Sequence, residues 1–235
     1  MIRKATFLPI VIFFTTIIFG CGEEKQFHKH ASEGVIEYEV TYPELDSNNI
    51  MLEMLPSKMI MTFKKDKFKS ELKTAAGIIE MSVIADYSSQ KMYNLVKIFS
   101  DKYVLEMNKS EALLMTATLP PFQIERQEVS TEIAEASCEK LILNFGSAKK
   151  ESYTFYETCE VDLIEPNWCT PFHEIKGVLL DYRVENYGMN MRLRAIRIIP
   201  GEVEDSEFDI DEDYEDLSPE EFNDLVVRNM EIFME

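Results

Sequence analysis

Thiols are the residues of this chain whose type and spacing most directly suggest chemistry. Cys159 and Cys169 flank a loop that contains Pro166, and a disulfide closing so short a loop contributes about 2–3 kcal/mol. Cys138 precedes an apolar run and is predicted to be a buried free thiol. His173 lies four residues after Cys169, but structural zinc sites use tight pairs such as C-x2-C, which this sequence lacks. We therefore predict a Cys159–Cys169 disulfide and no metal or other cofactor, with three free thiols as the alternative.

The fourth thiol, Cys21, ends a segment that is typical of exported proteins. Arg3 and Lys4 precede an apolar run of thirteen residues, Phe7–Phe19, whereas a membrane-spanning helix needs roughly 20. The run leads into Ile18-Phe19-Gly20-Cys21, which resembles a lipobox, where a diacylglyceryl group joins the cysteine before cleavage. We expect residues 1–20 to be a lipoprotein signal peptide and Cys21 to carry a lipid that anchors the chain. An ordinary secretory signal and an uncleaved helix are the alternatives.

The charge of the chain limits its partners. The sequence holds 43 Asp and Glu residues against 24 Lys and Arg residues, which gives a net charge of −19. Phosphates would repel such a chain, which argues against nucleic acid as a partner. Anionic headgroups would repel it too, so the lipid on Cys21 must provide the contact with the membrane.

Residues 21–33 are predicted to be a polar tether between the lipid and the fold, because they are charged and show no period. Glu23 and Glu24 resemble the acidic signal that sends some Bacteroidota lipoproteins to the outer face of the outer membrane. A solvated tether that contains two glutamates by chance is the alternative. We expect the protein in the cell envelope, on the periplasmic or the surface face of the outer membrane.

Short runs in which apolar and polar residues alternate fill residues 34–200. Val178, Leu180, Tyr182 and Val184 alternate with polar residues, and similar patterns occur near 36–42, 58–64, 67–73, 79–85, 91–97, 102–107, 122–128, 139–145, 151–157 and 189–194. One apolar and one polar face is typical of antiparallel sheets, and about ten such strands would curl. We predict a mainly β (α+β) domain: a curved antiparallel meander or open half-barrel. Residues 48–55 and a C-terminal helix are expected to cover its concave face.

The C-terminal helix is predicted over residues 218–235. Ser218 is its N-cap, Pro219 its first residue and Glu221 completes a capping box. The apolar residues form one stripe at helical spacing: Phe222, Leu225, Val226, Met230 and Phe233. This stripe favours docking on the core, with a partner-binding face as the alternative.

Two further patterns resemble metal sites but are better explained otherwise. Asp209, Asp211 and Asp213 have the spacing of a calcium loop, but Tyr214 stands where the loop needs glycine. We therefore interpret residues 201–217 as a solvated acidic linker. Pairs of methionines at 59 and 61 and at 189 and 191 would suit Cu(I), but their inward phase favours ordinary core.

Four passages resemble a domain of unknown function that is common in Bacteroidota lipoproteins and related to the GLPGLI family. They are Gly34-Val-Ile-Glu-Tyr-Glu-Val40, Glu132-Ile-Ala-Glu-Ala-Ser-Cys138-Glu-Lys140, Ile175-Lys-Gly-Val-Leu-Leu-Asp-Tyr182 and Phe208-Asp-Ile-Asp-Glu-Asp-Tyr214. The resemblance covers residues 34–216. It implies a curved antiparallel sheet similar to the lipoprotein-carrier fold of the Lol system, and it implies no catalytic residue.

These observations favour a non-enzymatic, membrane-anchored envelope lipoprotein that acts as a structural or interaction module. No G-x-S-x-G, H-E-x-x-H or glycine-rich phosphate loop occurs in the sequence. The alternative is a carrier that binds an apolar ligand or lipid chain in the concave face of the sheet. A carrier would need an internal cavity of roughly several hundred Å3, whereas apolar faces are usually filled.

Overall fold

A computed structural model describes residues 30–46, 48–74, 77–115, 119–146, 152–186 and 189–231. The predicted signal peptide, Cys21, Phe233 and most of the tether lie outside the described residues. No helix among those described is long and apolar enough to cross a membrane.

The fold is mainly β, as predicted from the alternation of apolar and polar residues. Its strands are β1 (Glu33–Thr41), β2 (Lys58–Lys64), β3 (Lys67–Lys73), β4 (Ile79–Asp86), β5 (Lys91–Ile98), β6 (Asp101–Asn108), β7 (Phe122–Ile133), β8 (Ala136–Phe145), β9 (Ser152–Thr158), β10 (Val178–Asn186), β11 (Met189–Pro200) and β12 (Glu215–Asp216). The helices are α1 (Lys109–Met115) and α2 (Pro219–Glu231), with 3-10 turns at Ile50–Glu53 and Asp205–Phe208.

The twelve strands form one open sheet in the order β12-β6-β5-β4-β3-β2-β1-β11-β10-β9-β8-β7. Two antiparallel meanders, β1–β6 and β7–β11, meet where β1 pairs with β11. The short β12 is the exception, because it runs parallel to β6. The predicted open antiparallel sheet with a C-terminal helix is therefore confirmed.

Among the described residues outside the strands, three segments bring large buried side chains to the apolar face of the sheet. From α2, Phe222 and Val226 are buried in the main core, and Leu55 enters it from the segment 48–55. The third cover was not predicted: residues 159–177, here called the covering segment, contribute the fully buried Trp168 and the buried Phe172. The core is therefore closed from within the chain.

The start of α2 agrees with the predicted capping box. The backbone N–H of Ser218 donates to Glu221 Oε2 at 3.0 Å, and the backbone N–H of Glu221 donates back to Ser218 Oγ at 3.3 Å. Leu217 packs against the cluster that contains Phe222, as expected for a hydrophobic staple. The helix thus begins where the sequence places it.

The interpretation of residues 201–217 as a solvated linker needs correction. Residues 202–216, here called the acidic strap, cross the face of the sheet that lies opposite the main core. Their partly buried apolar side chains, Phe208, Ile210 and Tyr214, pack on a small cluster made by Ile84, Leu95 and Val104. That cluster alternates along β4–β6 with the main-core residues Ala85, Val96 and Leu105. The carboxylates point outward, so the strap is a surface layer of the fold.

The boundary of the tether also shifts. His30 donates its backbone N–H to the carbonyl of Glu160 at 2.7 Å, and Ala31 forms a β-bridge with Val161. β1 then begins at Glu33. The residues from His30 onward therefore belong to the folded domain, because their backbone groups pair with the covering segment.

Candidate functional site

The predicted disulfide between Cys159 and Cys169 is not formed. Cys138, Cys159 and Cys169 are free thiols; Cys159 is exposed at the end of β9, whereas Cys169 is buried in the main core. Burial raises the pKa of the Cys169 thiol to about 12 and that of Cys138 to about 11. Both stay protonated at neutral pH and are poor nucleophiles.

The patterns that resembled metal sites have other roles. Lys102 Nζ lies 3.0 Å from Asp211 Oδ2 and 2.9 Å from Asp213 Oδ2, so a lysine ammonium neutralises the calcium-like carboxylates and fixes the acidic strap to β6. His173 is exposed. The paired methionines at 59, 61, 189 and 191 are all buried in the main core. Within the described ranges, no group of three or more His, Cys, Asp or Glu side chains could hold a metal ion.

The described residues pack closely on the apolar side of the sheet. A cleft lined in part by Leu119, Phe145, Phe172 and Val184 has a volume of about 20 Å3, which is room for about one water. The space a carrier would need is occupied by the chain's own side chains, among them Tyr38, Phe63 and Trp168.

The opposite face of β8–β11 carries a larger opening, here called the polar cleft. Its volume is about 550 Å3, and it is lined by Glu44, Lys140, Ser152, Tyr153, Thr154, Tyr156, Arg183 and Arg192. Arg183 and Arg192 alternate along their strands with the core residues Tyr182, Met191 and Leu193. The same alternation that builds the core therefore points these arginines away from it.

A buried carboxylate fixes one wall of the polar cleft. Asp181 is 1% exposed and accepts hydrogen bonds from Arg192 Nε at 2.8 Å and Arg192 Nη2 at 2.7 Å. Arg194 donates to the same carboxylate. Two guanidinium groups thus share one aspartate, which holds Arg192 in a fixed orientation and leaves one positive charge in excess.

Arg183 lies opposite Arg192 in the β10–β11 pair. Its guanidinium stacks over the Tyr153 ring, 5.2 Å from the ring centre, and no carboxylate among the described residues pairs with it. Like charges that face each other across strands destabilise a sheet. Lys140, on β8, has no ion pair or hydrogen bond within the same ranges. These cations are unusual on a chain whose net charge is −19.

Glu44 stands at the rim of the polar cleft. Its Oε2 accepts a hydrogen bond from Asn190 Nδ2 at 2.8 Å, which fixes the orientation of the carboxylate. Among the described residues, the lining therefore holds three cations and one carboxylate, a net charge of +2 by formal count.

A second buried carboxylate has a structural role. Glu157 is buried and accepts hydrogen bonds from Arg126 and, at 2.7 Å, from the backbone N–H of Gly177. A Cβ on residue 177 would lie 2.7 Å from the backbone carbonyl oxygen of Thr158 as well as from Glu157 Oε2, and because the backbone of β9 cannot move aside, glycine is needed there. The contact holds the end of the covering segment against β9.

The polar cleft was not among the sites predicted from the sequence. A signal for it was present, because a turn is predicted at 186–188 from the sequence, and the strands on either side pair with Arg183 opposite Arg192 and Asp181 opposite Arg194. No protein-family model matches this chain, and no curated protein is significantly similar to it. The chemistry of the cleft therefore rests on its own residues.

Proposed function

We propose that this chain is a lipid-anchored, non-enzymatic protein of the bacterial cell envelope whose domain acts as an interaction module. The observation that carries the choice of a module over a carrier is the filled apolar face. Trp168 of the covering segment and Phe222 of α2 are each 2% exposed within one core cluster. Such packing leaves the outer surfaces as the places where other molecules bind.

The lipid anchor rests on the segment before Cys21. An apolar run of thirteen residues followed by Gly20-Cys21 supports signal cleavage and acylation. The two or three acyl chains attached in this way would hold the protein on the membrane far more firmly than one chain. Glu23 and Glu24 support a position on the outer membrane. The resemblance to Bacteroidota lipoprotein domains of the GLPGLI type supports the same location.

The absence of enzymatic activity is part of the proposal. Two of the three histidines in the sequence, His28 and His30, lie at or before the start of the fold, and His173 is exposed. The buried thiols remain protonated at neutral pH because burial raises the pKa of each. These facts favour binding over nucleophilic or general-base chemistry.

The anchor is tested by replacing Cys21. Cells that express Cys21→Ala and wild type are labelled with palmitate and fractionated into membrane and soluble material. We expect Cys21→Ala to lose the label and to give an unprocessed or soluble chain, whereas Cys159→Ala, which removes an exposed thiol, should retain both label and membrane. Label on the Cys21→Ala chain would refute the anchor.

The choice between module and carrier needs a separate measurement. Organic extracts of the purified full-length Cys21→Ala chain are analysed by mass spectrometry, so that covalently attached lipid does not interfere. We expect no lipid at stoichiometric level. One lipid per chain would show that the apolar face opens to hold a ligand, and the carrier would replace the module.

A further inference from the structure

We propose that the polar cleft binds a phosphate ester carried on a hydroxyl-rich molecule such as a sugar. This deepens the proposed function by naming a ligand for the module. It rests on the domain acting by binding, but it does not depend on the lipid at Cys21.

The charge of the cleft indicates an anion. Within the part of the chain that the structure describes, the lining cations are Lys140, Arg183 and Arg192, and the lining carboxylate is Glu44. Asp181 is shared between Arg192 and Arg194, so these three side chains together keep one positive charge in excess. A ligand with a charge of −2 would match the excess and would relieve the repulsion between Arg183 and Arg192, which face each other across β10 and β11.

The geometry of the cations suits a phosphate. A guanidinium presents a planar fork of donors that matches the oxygens of phosphate, and an ammonium adds a compact point charge. Arg192 is held in place by two hydrogen bonds to Asp181, and Arg183 is held by stacking on Tyr153. Both groups are therefore oriented before a ligand arrives, which lowers the entropy lost on binding.

The rest of the lining suits hydroxyl groups. Ser152, Thr154 and Tyr156 bring three side-chain hydroxyls to the cleft, and Glu44 brings an acceptor for a ligand O–H. The volume of about 550 Å3 exceeds what a bare phosphate ion fills and lies within the range of small-molecule sites. The ligand is therefore expected to be a phosphorylated polyol, either free in solution or as the headgroup of a lipid.

The test titrates purified full-length chain with glucose 6-phosphate, with glucose, and with phosphatidylcholine vesicles that contain or lack phosphatidylinositol phosphate. Binding is followed by calorimetry at low and high salt. We expect saturable binding of glucose 6-phosphate, or tighter binding of the phosphorylated vesicles than of plain vesicles, in either case weakened by salt, and no binding of glucose. The first result assigns a soluble ligand and the second a lipid headgroup, and both support a phosphate-ester site.

Variants connect the binding to the cleft. Arg183→Gln and Lys140→Gln should each weaken binding by about tenfold or more, as expected for losing a charge-assisted contact. The matched control is Arg197→Gln on β11, whose side chain is 61% exposed and pairs with Glu37 outside the cleft; its affinity should equal that of wild type. Equal loss in Arg183→Gln and Arg197→Gln would show only general attraction, and the inference would fail.

A stability measurement separates a binding role from a structural one. If Arg183 serves a ligand, Arg183→Gln should unfold in urea at or above the wild-type midpoint, because a like-charge pair has been removed. A clearly lower midpoint together with unchanged binding would assign Arg183 to the fold and overturn the proposal. Absence of binding to every phosphorylated probe would also overturn it, while palmitate labelling of Cys21 would be unaffected.

Discussion

Replacing Asp181 with asparagine should destabilise the protein clearly, although the two side chains have nearly the same shape. Asp181 is 1% exposed, and its carboxylate accepts hydrogen bonds from both Arg192 and Arg194. Asn keeps the shape of the side chain but turns one acceptor into a donor that faces a guanidinium. The two arginines then lose the carboxylate that they share.

The magnitude follows from the exposure of the partners. Removing one member of a fully buried ion pair costs about 3–5 kcal/mol. The side chains of Arg192 and Arg194 are 43% and 45% exposed, so each regains part of its hydration when Asp181 is lost. We therefore expect Asp181→Asn to lower the free energy of unfolding by about 2–3 kcal/mol, below the fully buried range.

Urea unfolding of the full-length chain, followed by circular dichroism, measures the change. The matched control is Glu37→Gln, which breaks the pair with Arg197, whose side chain is 61% exposed; such surface pairs contribute about 0.2–1 kcal/mol. The slope of the transition should be equal in all three proteins. Equal midpoint shifts in Asp181→Asn and Glu37→Gln would refute the reasoning, because the burial of Asp181 would then add nothing to the free energy of unfolding.

Two further predictions concern the core and the thiols. Phe222→Ala should lower the free energy of unfolding by about 3–5 kcal/mol, because Phe222 is 2% exposed, whereas Asn223→Ala on the exposed side of α2 should change it little; equal urea midpoints would assign the helix to partner binding. Thiol titration of the folded chain at pH 8 should modify the exposed Cys159 first, although its pKa is also raised by partial burial, while Cys138 and Cys169 react only after unfolding, because both are buried and their pKa values are raised to about 11 and about 12. Rapid reaction of either buried thiol in the folded chain would contradict that burial.

The strands of this fold were predictable because buried apolar residues and polar residues alternate along each of them. Val178, Leu180, Tyr182 and Val184 alternate with polar residues, and the structure places them in or against the core. The start of α2 was predictable for a similar reason, since Ser218 and Glu221 satisfy each other's backbone locally. A strand or a helix end can be predicted wherever a short sequence pattern determines it.

The covering segment was missed because it has no repeat. Its backbone is irregular, and side chains supply hydrogen bonds to some of its backbone groups. Asn167 Nδ2 donates to the carbonyls of Ile175 at 2.8 Å and Gly177 at 2.9 Å. The acidic strap was misinterpreted because its charges obscured the apolar residues between them. In both segments the burial depends on a distant part of the sheet, which a local pattern cannot reveal.

The polar cleft lies between these cases. The turn predicted between β10 and β11 indicates that Arg183 faces Arg192, but the cleft also needs Lys140 from β8 and Glu44 from the loop after β1. Those residues meet only through the order of strands in the sheet. The sequence therefore contains half of the site, and the topology supplies the rest.

The pairing of β1 with β11 has a consequence for how the chain folds. Ile36 of β1 pairs with Ile198 of β11, so the central seam of the sheet cannot close until the chain has been made as far as β11. Until then β1 can pair with β2 alone, and its other edge, with unpaired N–H and C=O groups, is open to other chains. Such distant pairing slows folding. A chain of this topology has reason to be kept unfolded, or shielded by a chaperone, until its last long strand is available.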